Sequence, residues 1–215
     1  MMERDERLVH RLEAFCDIVI GFSLAELTFG LVIPAHAIGL VTNPTWLIYY
    51  LFTFSIVALM WWSHYRLFQT IFYPDTPNIL LNYAWLASVG LLVFFMQVTA
   101  RAQTPRDTIV AADLYFTTLA VNFALNATMM ARSYRRRGNL LDESGRTRVL
   151  RVIISSLLSA PLLLVGLLWA GTSKPSNAVY IPLAMAIGFG GGRPLLLLWT
   201  RLRNRHRESR ERDQT

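Results

Sequence analysis

An all-α integral membrane protein with six transmembrane helices per subunit is the fold class this sequence predicts, on three observations. Hydrophobic residues make up 53% of the 215 and charged residues only 16%, against roughly 25% charged in an ordinary globular chain. The charges gather at the two ends and in one internal loop. Between them lie apolar runs of about 20 residues, the length a helix needs to cross a bilayer.

Each span is argued from its own stretch. The first, 12–33, is LEAFCDIVIGFSLAELTFGLVI, apolar apart from Glu13, Asp17 and Glu26. The second, 45–65, opens after Thr42-Asn43-Pro44 with interface aromatics at Trp46, Tyr49 and Tyr50. The third, 79–100, follows the turn Pro74-Asp75-Thr76-Pro77. The fourth, 109–131, runs into an arginine cluster, and the fifth, 149–170, carries Pro161, read as a kink. The sixth, 177–200, follows the linker Gly171 to Ser176 and ends near Trp199. Helices are expected because backbone amides in lipid must be bonded within their own segment. No short alternating pattern suggests a barrel. Residues 1–200 form a single transmembrane domain in this reading, and 201–215 a basic tail.

Charge orients the spans. With both termini cytoplasmic, the inner segments hold 17 of the 21 basic residues, and only Arg101, Arg106 and Lys174 lie outside. Arg193 falls within the sixth span. This is the positive-inside pattern, and an even span count requires the same placement. The net charge of +7 is thereby explained by arginines flanking membrane spans, so no nucleic-acid partner is expected. The tail RLRNRHRESRERDQT suits anionic lipid head groups.

Several chemistries lack their residues. A single cysteine, Cys16, permits no intrachain disulfide or multi-cysteine metal site. The histidines His10, His36, His64 and His206 show no paired spacing for zinc. No cofactor, no metal and no enzyme activity are expected, since no Ser-His-Asp or paired-carboxylate arrangement occurs. Ala35-His36-Ala37 imitates a signal-peptidase site, but the apolar run before it is long and holds Glu26, so an uncleaved first span is expected. Gly188-Phe189-Gly190 imitates a carbonyl filter but leaves too few residues for an inner helix after it. GFGGGR lacks the Lys-Ser/Thr of a phosphate loop.

Asp17 and Glu26, which lie deeper in the first span than Glu13, demand an account, because charge at membrane depth faces protein or water rather than lipid. At about 100° per residue, Asp17, Gly21, Leu24 and Thr28 share one side, and Phe15, Val19, Phe22, Glu26, Phe29 and Ile33 the other. Asp17 is read as a structural staple, with Arg11, His64 and Arg193 as partners at similar depth and Gly21 allowing close helix packing. Glu26, near the midplane in an aromatic stripe, is read either as a protonated acid bonded to a neighbouring helix or as a member of a carboxylate ring around a passage.

Arg11-x-x-x-Phe15-Cys16-Asp17 resembles the R-x-x-x-F-S-D signature of the transmembrane-protein-175 family of potassium channels. Trp61, His64 and Phe68 in TFSIVALMWWSHYRLF are similar to that family's second-span pattern, and Asn82 fits the start of its third. The resemblance implies a homotetramer around a central pore lined by the first helix and constricted by bulky side chains. It implies a polar network of Arg11, Asp17, Trp61, His64 and Asn82. It places the constriction at Phe22, Glu26 and Phe29, where the family usually has isoleucine or leucine. It also puts Cys16 where the signature has serine, a weaker hydrogen-bonding group. The implied function is a potassium-permeable cation leak channel in the cell membrane, with potassium or other monovalent cations and membrane lipids as partners. The alternatives are a proton-conducting or proton-coupled transporter using Glu26, and a membrane scaffold whose tail recruits a partner.

Overall fold

The computed structural model describes residues 2–30 and 45–170, with side chains over 6–30 and 47–161. Five α-helices and one short 3-10 turn occur among the described residues: α1 Met2–Phe29, α2 Thr45–Thr70, α3 Thr76–Arg101, α4 Pro105–Arg137, the turn Gly138–Leu140, and α5 Glu143–Ala170. The expected sixth span 177–200 with Arg193, the glycines of 188–192, Lys174, His36 and the basic tail lie outside the described residues.

Local chemistry sets the helix ends. Asp75 caps α3, accepting from the Asn78 N–H at 2.9 Å with Pro77 in the first turn. Thr104 caps α4, accepting from the Asp107 N–H at 3.1 Å, with Pro105 opening the helix. Both are side-chain oxygens satisfying first-turn donors that have no partner within the helix. Arg135, Arg136 and Arg137 fill the last turn of α4, where cations complement the helix dipole. Asp142 precedes α5; the Ser144 hydroxyl and the Gly145 N–H both donate to its carboxylate and hold its pKa below the usual range.

Three helices are long and apolar enough to cross a membrane by length and composition among the described residues: 47–70, 76–101 and 105–140. α1 and α5 are helical where the sequence places spans, but both begin earlier than 12 and 149. Their extra turns are charged segments beyond the apolar run, where water serves the polar side chains and good helix formers such as Glu and Arg extend the helix.

α3 is the hub. It packs on α4, α1 and α2, and α4 packs in turn on α5. Its buried row, Asn78, Asn82, Trp85, Leu86, Val89, Leu92, Val93 and Met96, has helical periodicity. In lipid such a row is held by close packing and interhelical hydrogen bonds rather than by expulsion of water. The polar bonds are concentrated at the arginine-rich end. Arg132 Nε donates to Asn78 Oδ1 at 3.1 Å, and its Nη2 pairs with Asp75 Oδ2 at 3.2 Å. Asn78 Nδ2 donates to the Tyr73 carbonyl at 2.8 Å and to Ser133 Oγ at 3.3 Å. This knot fastens the α2–α3 turn onto α4.

Candidate functional site

α1 presents three faces. Leu12, Cys16, Ile20, Ser23 and Leu27 are buried and pack inward. A second row points out of the protomer: Phe15, Ile18, Phe22 and Phe29, the last two 73% and 85% exposed, with Glu26 exposed among them. Such a ladder of large apolar groups around one acid is made by spacings of three, four and seven residues.

Asp17 occupies the third face, on the flank toward α2. Its Oδ1 accepts from Trp61 Nε1 at 2.8 Å. Two turns above the Gly21 position, Thr28 Oγ1 and Tyr50 OH lie 3.4 Å apart on the same flank. Of the residues expected around Asp17, Trp61 bonds to it, His64 is engaged elsewhere, and Arg193 lies outside the described residues. Arg11 is exposed and has no hydrogen-bond or ion-pair partner among the described residues. It falls on the outer row, about 120° from Asp17 on the helical wheel.

His64 is buried and stacks on Trp85 with ring centroids 4.1 Å apart. Its Nε2 lies 2.7 Å from Asn82 Oδ1, and since that oxygen only accepts, Nε2 carries the donated proton. Asn82 Nδ2 then donates to Cys16 Sγ at 3.4 Å. One asparagine therefore joins α1, α2 and α3. The sequence-derived network divides into two groups, Asp17–Trp61 and His64–Asn82–Cys16, with Arg11 in neither. The link from Cys16 to Asn82 is what the sequence reading missed, although a lone cysteine next to the acid was visible.

Gly21 is exposed, and a Cβ built there would meet nothing within 4 Å among the described residues. Among the described residues it is not a point of close packing. Gly30 is: a Cβ there would fall 2.7 Å from the Gln97 side chain of α3. Gln97 Nε2 donates to the Glu26 carbonyl at 3.2 Å, so α3 holds the backbone of α1 where the Glu26 side chain turns outward. Phe15 meets Tyr83 of α3 edge-on at 6.0 Å. No group of three or more His, Cys, Asp or Glu placed to hold a metal occurs among the described residues.

The family model described as endosomal/lysosomal potassium channel TMEM175 matches residues 11–92. Over this segment the chain is similar to the TMEM175 family. The segment runs from Arg11 to Leu92 and so contains both polar groups and the whole outer row of α1. Two solved structures share the fold seen here. A lysosomal potassium-selective channel TMEM175 homolog from Chamaesiphon minutus aligns with a TM-score of 0.66 at 18% identity, over 89% of this chain and 97% of that one. A variant of the potassium channel MtTMEM175, bound to a nanobody fusion protein, aligns at 0.64 and 19% identity over 91% and 93%. No curated protein matches the chain.

The Asp17–Trp61 bond of the matched segment makes the first prediction. Asp17→Ala and Trp61→Phe are each expected to lower the stability of the detergent-solubilised protein by about 1 kcal/mol, within the range of interhelical bonds in lipid. The double variant should lose little more than either single one. Additive losses in the thermal double-mutant cycle would show that the two side chains do not act as a pair.

Proposed function

We propose that this protein is a potassium-permeable cation channel of the cell membrane, in which ions move down their gradient along the first helices of several subunits. The observation that carries the reading is the outward row of α1. Phe22, Glu26 and Phe29 project from the protomer, while the inner face and flank of the same helix are bound to α2 and α3 through Cys16–Asn82–His64 and Asp17–Trp61. A helix so fastened can offer its free row to symmetry mates without leaving its own bundle. Four copies of a six-span subunit, with 1–200 as the membrane domain, 201–215 as a basic tail and both termini cytoplasmic, agree with the charge distribution and with the family's potassium-channel description.

In this reading the mechanism is physical rather than chemical. Phenylalanine rings meeting on an axis exclude water from a narrow neck and raise the barrier to every ion. A carboxylate between them lowers it for cations, because a ring of acids concentrates positive charge. The Arg11, Asp17, Trp61, His64 and Asn82 side chains serve as supports that fix the angle of α1.

Purified protein in liposomes is expected to dissipate a potassium gradient. Glu26→Gln should lower that flux without abolishing it, because the aromatic neck remains. Should the protein carry protons but never potassium, and Glu26→Gln stop the proton flux, the proton-coupled reading would replace the channel.

A further inference from the structure

A cleft between α2, α4 and α5 collects polar side chains that the α1 row does not use. It encloses about 210 Å³, and its walls include Ser63, Trp62 and Arg66 of α2, Asn126 of α4 and Ser156 of α5, with Trp85 of α3 behind them. The indole N–H of Trp85 and the amide oxygen of Asn126 are buried without a hydrogen-bond partner among the described residues, in side chains 1% and 5% exposed. A donor and an acceptor left unpaired at membrane depth call for a ligand that supplies the complementary pair.

The mouth of the cleft is cationic. The Arg66 guanidinium lies over the Trp62 ring, 5.3 Å from its centroid, a contact that orients it but engages none of its N–H groups. Arg151 stands on the α5 face that continues into Val152, Ser155 and Ser156, all cleft residues, and its Nε is buried without a partner among the described residues. Among the described residues no carboxylate lines the cleft. Arg66 lies about 6 Å and Arg151 about 12 Å from the helix ends on the arginine-rich side, the depth of head group and glycerol. Leu59 and Leu158 are exposed on the outer surface beside it.

We propose that this cleft is a binding site for an anionic phospholipid. The phosphate sits between Arg66 and Arg151, the ester and glycerol oxygens meet the Trp85 N–H and Asn126, and the acyl chains run out along Leu59 and Leu158. Arginine suits this place because its fork of donors matches phosphate oxygens, and basic pockets between membrane helices are where acidic head groups lodge. A net positive mouth without an acid selects against zwitterionic lipid of the same shape.

The test is native mass spectrometry of the full chain released from nanodiscs containing equal phosphatidylglycerol and phosphatidylcholine with matched acyl chains. The expected result is retention of phosphatidylglycerol, reduced about tenfold by Arg66→Gln or Arg151→Gln, the scale of losing one charge-assisted contact. Arg148→Gln, which removes an exposed charge from the same helix, should change nothing. Ser156→Leu fills the cleft while keeping both arginines, and should also abolish retention in protein that still elutes as a single species. Equal retention of both lipids, unchanged retention in the cleft variants, or an equal loss in Arg148→Gln would overturn the site. Displacement of the lipid by millimolar inorganic phosphate alone would assign the arginines to a free anion and overturn the lipid.

Discussion

Replacing Asn82 with alanine is expected to lower the thermal midpoint of the solubilised protein by about 4–8 °C. The side chain is wholly buried and serves His64 at 2.7 Å and Cys16 at 3.4 Å. Its removal leaves an imidazole N–H without an acceptor between Trp85 and Phe68, whose rings close the space on either side. In water-soluble cores one orphaned group costs about 1–3 kcal/mol. Interhelical bonds in lipid average nearer 0.6, with a maximum near 1.7, because the unfolded chain in the membrane also finds partners. A loss of about 2 kcal/mol follows from one strong and one weak contact, and for a chain of this length that is the quoted shift in midpoint. The His64→Phe, Asn82→Leu double variant should recover part of the loss, since removing both partners leaves nothing unpaired. An unchanged midpoint in Asn82→Ala would mean that α1 is held by packing alone.

The largest functional change is expected from the aromatic row. Phe22→Ala combined with Phe29→Ala should raise potassium flux into liposomes at least about tenfold, which needs the two rings to supply only about 1.4 kcal/mol of the barrier. Discrimination between potassium and sodium should fall with it, because a wider neck lets ions keep their water. Folding should change little, as both rings stand almost free of their own protomer. Unaltered flux and selectivity would place the row against lipid and end the proposal that α1 lines the passage.

How far the fold and site were legible depends on the range of the interaction. The helices were visible because each apolar run declares itself over about 20 consecutive residues. The outer row of α1 was visible because its spacing is local to one helix, and the exposed Phe22, Glu26 and Phe29 lie where the wheel put them. The division of the polar residues was not. Asp17, His64 and Arg11 share a depth, but depth does not tell which azimuth of α2 meets α1; Trp61 and His64, three residues apart, face different neighbours. The Asp75–Asn78–Arg132 knot joins residues more than fifty apart, and only Asp75, followed three residues later by Asn78, hinted at a cap. Asn122 and Asn126, four apart in an apolar helix, were the overlooked sign of a polar seam: Asn122 Nδ2 donates to Ser88 Oγ at 2.7 Å and Asn126 Nδ2 to Ser63 Oγ at 3.1 Å.

The setting of Cys16 has a practical consequence. The chain contains one thiol, and it is sealed behind its own helix with its sulfur occupied by Asn82, an environment in which cysteines are chemically inert. The wild-type chain is therefore already a silent background. A cysteine placed along the exposed edge of α1 would report, position by position, whether water-soluble thiol reagents reach it, without first stripping the native one and disturbing the joint it completes.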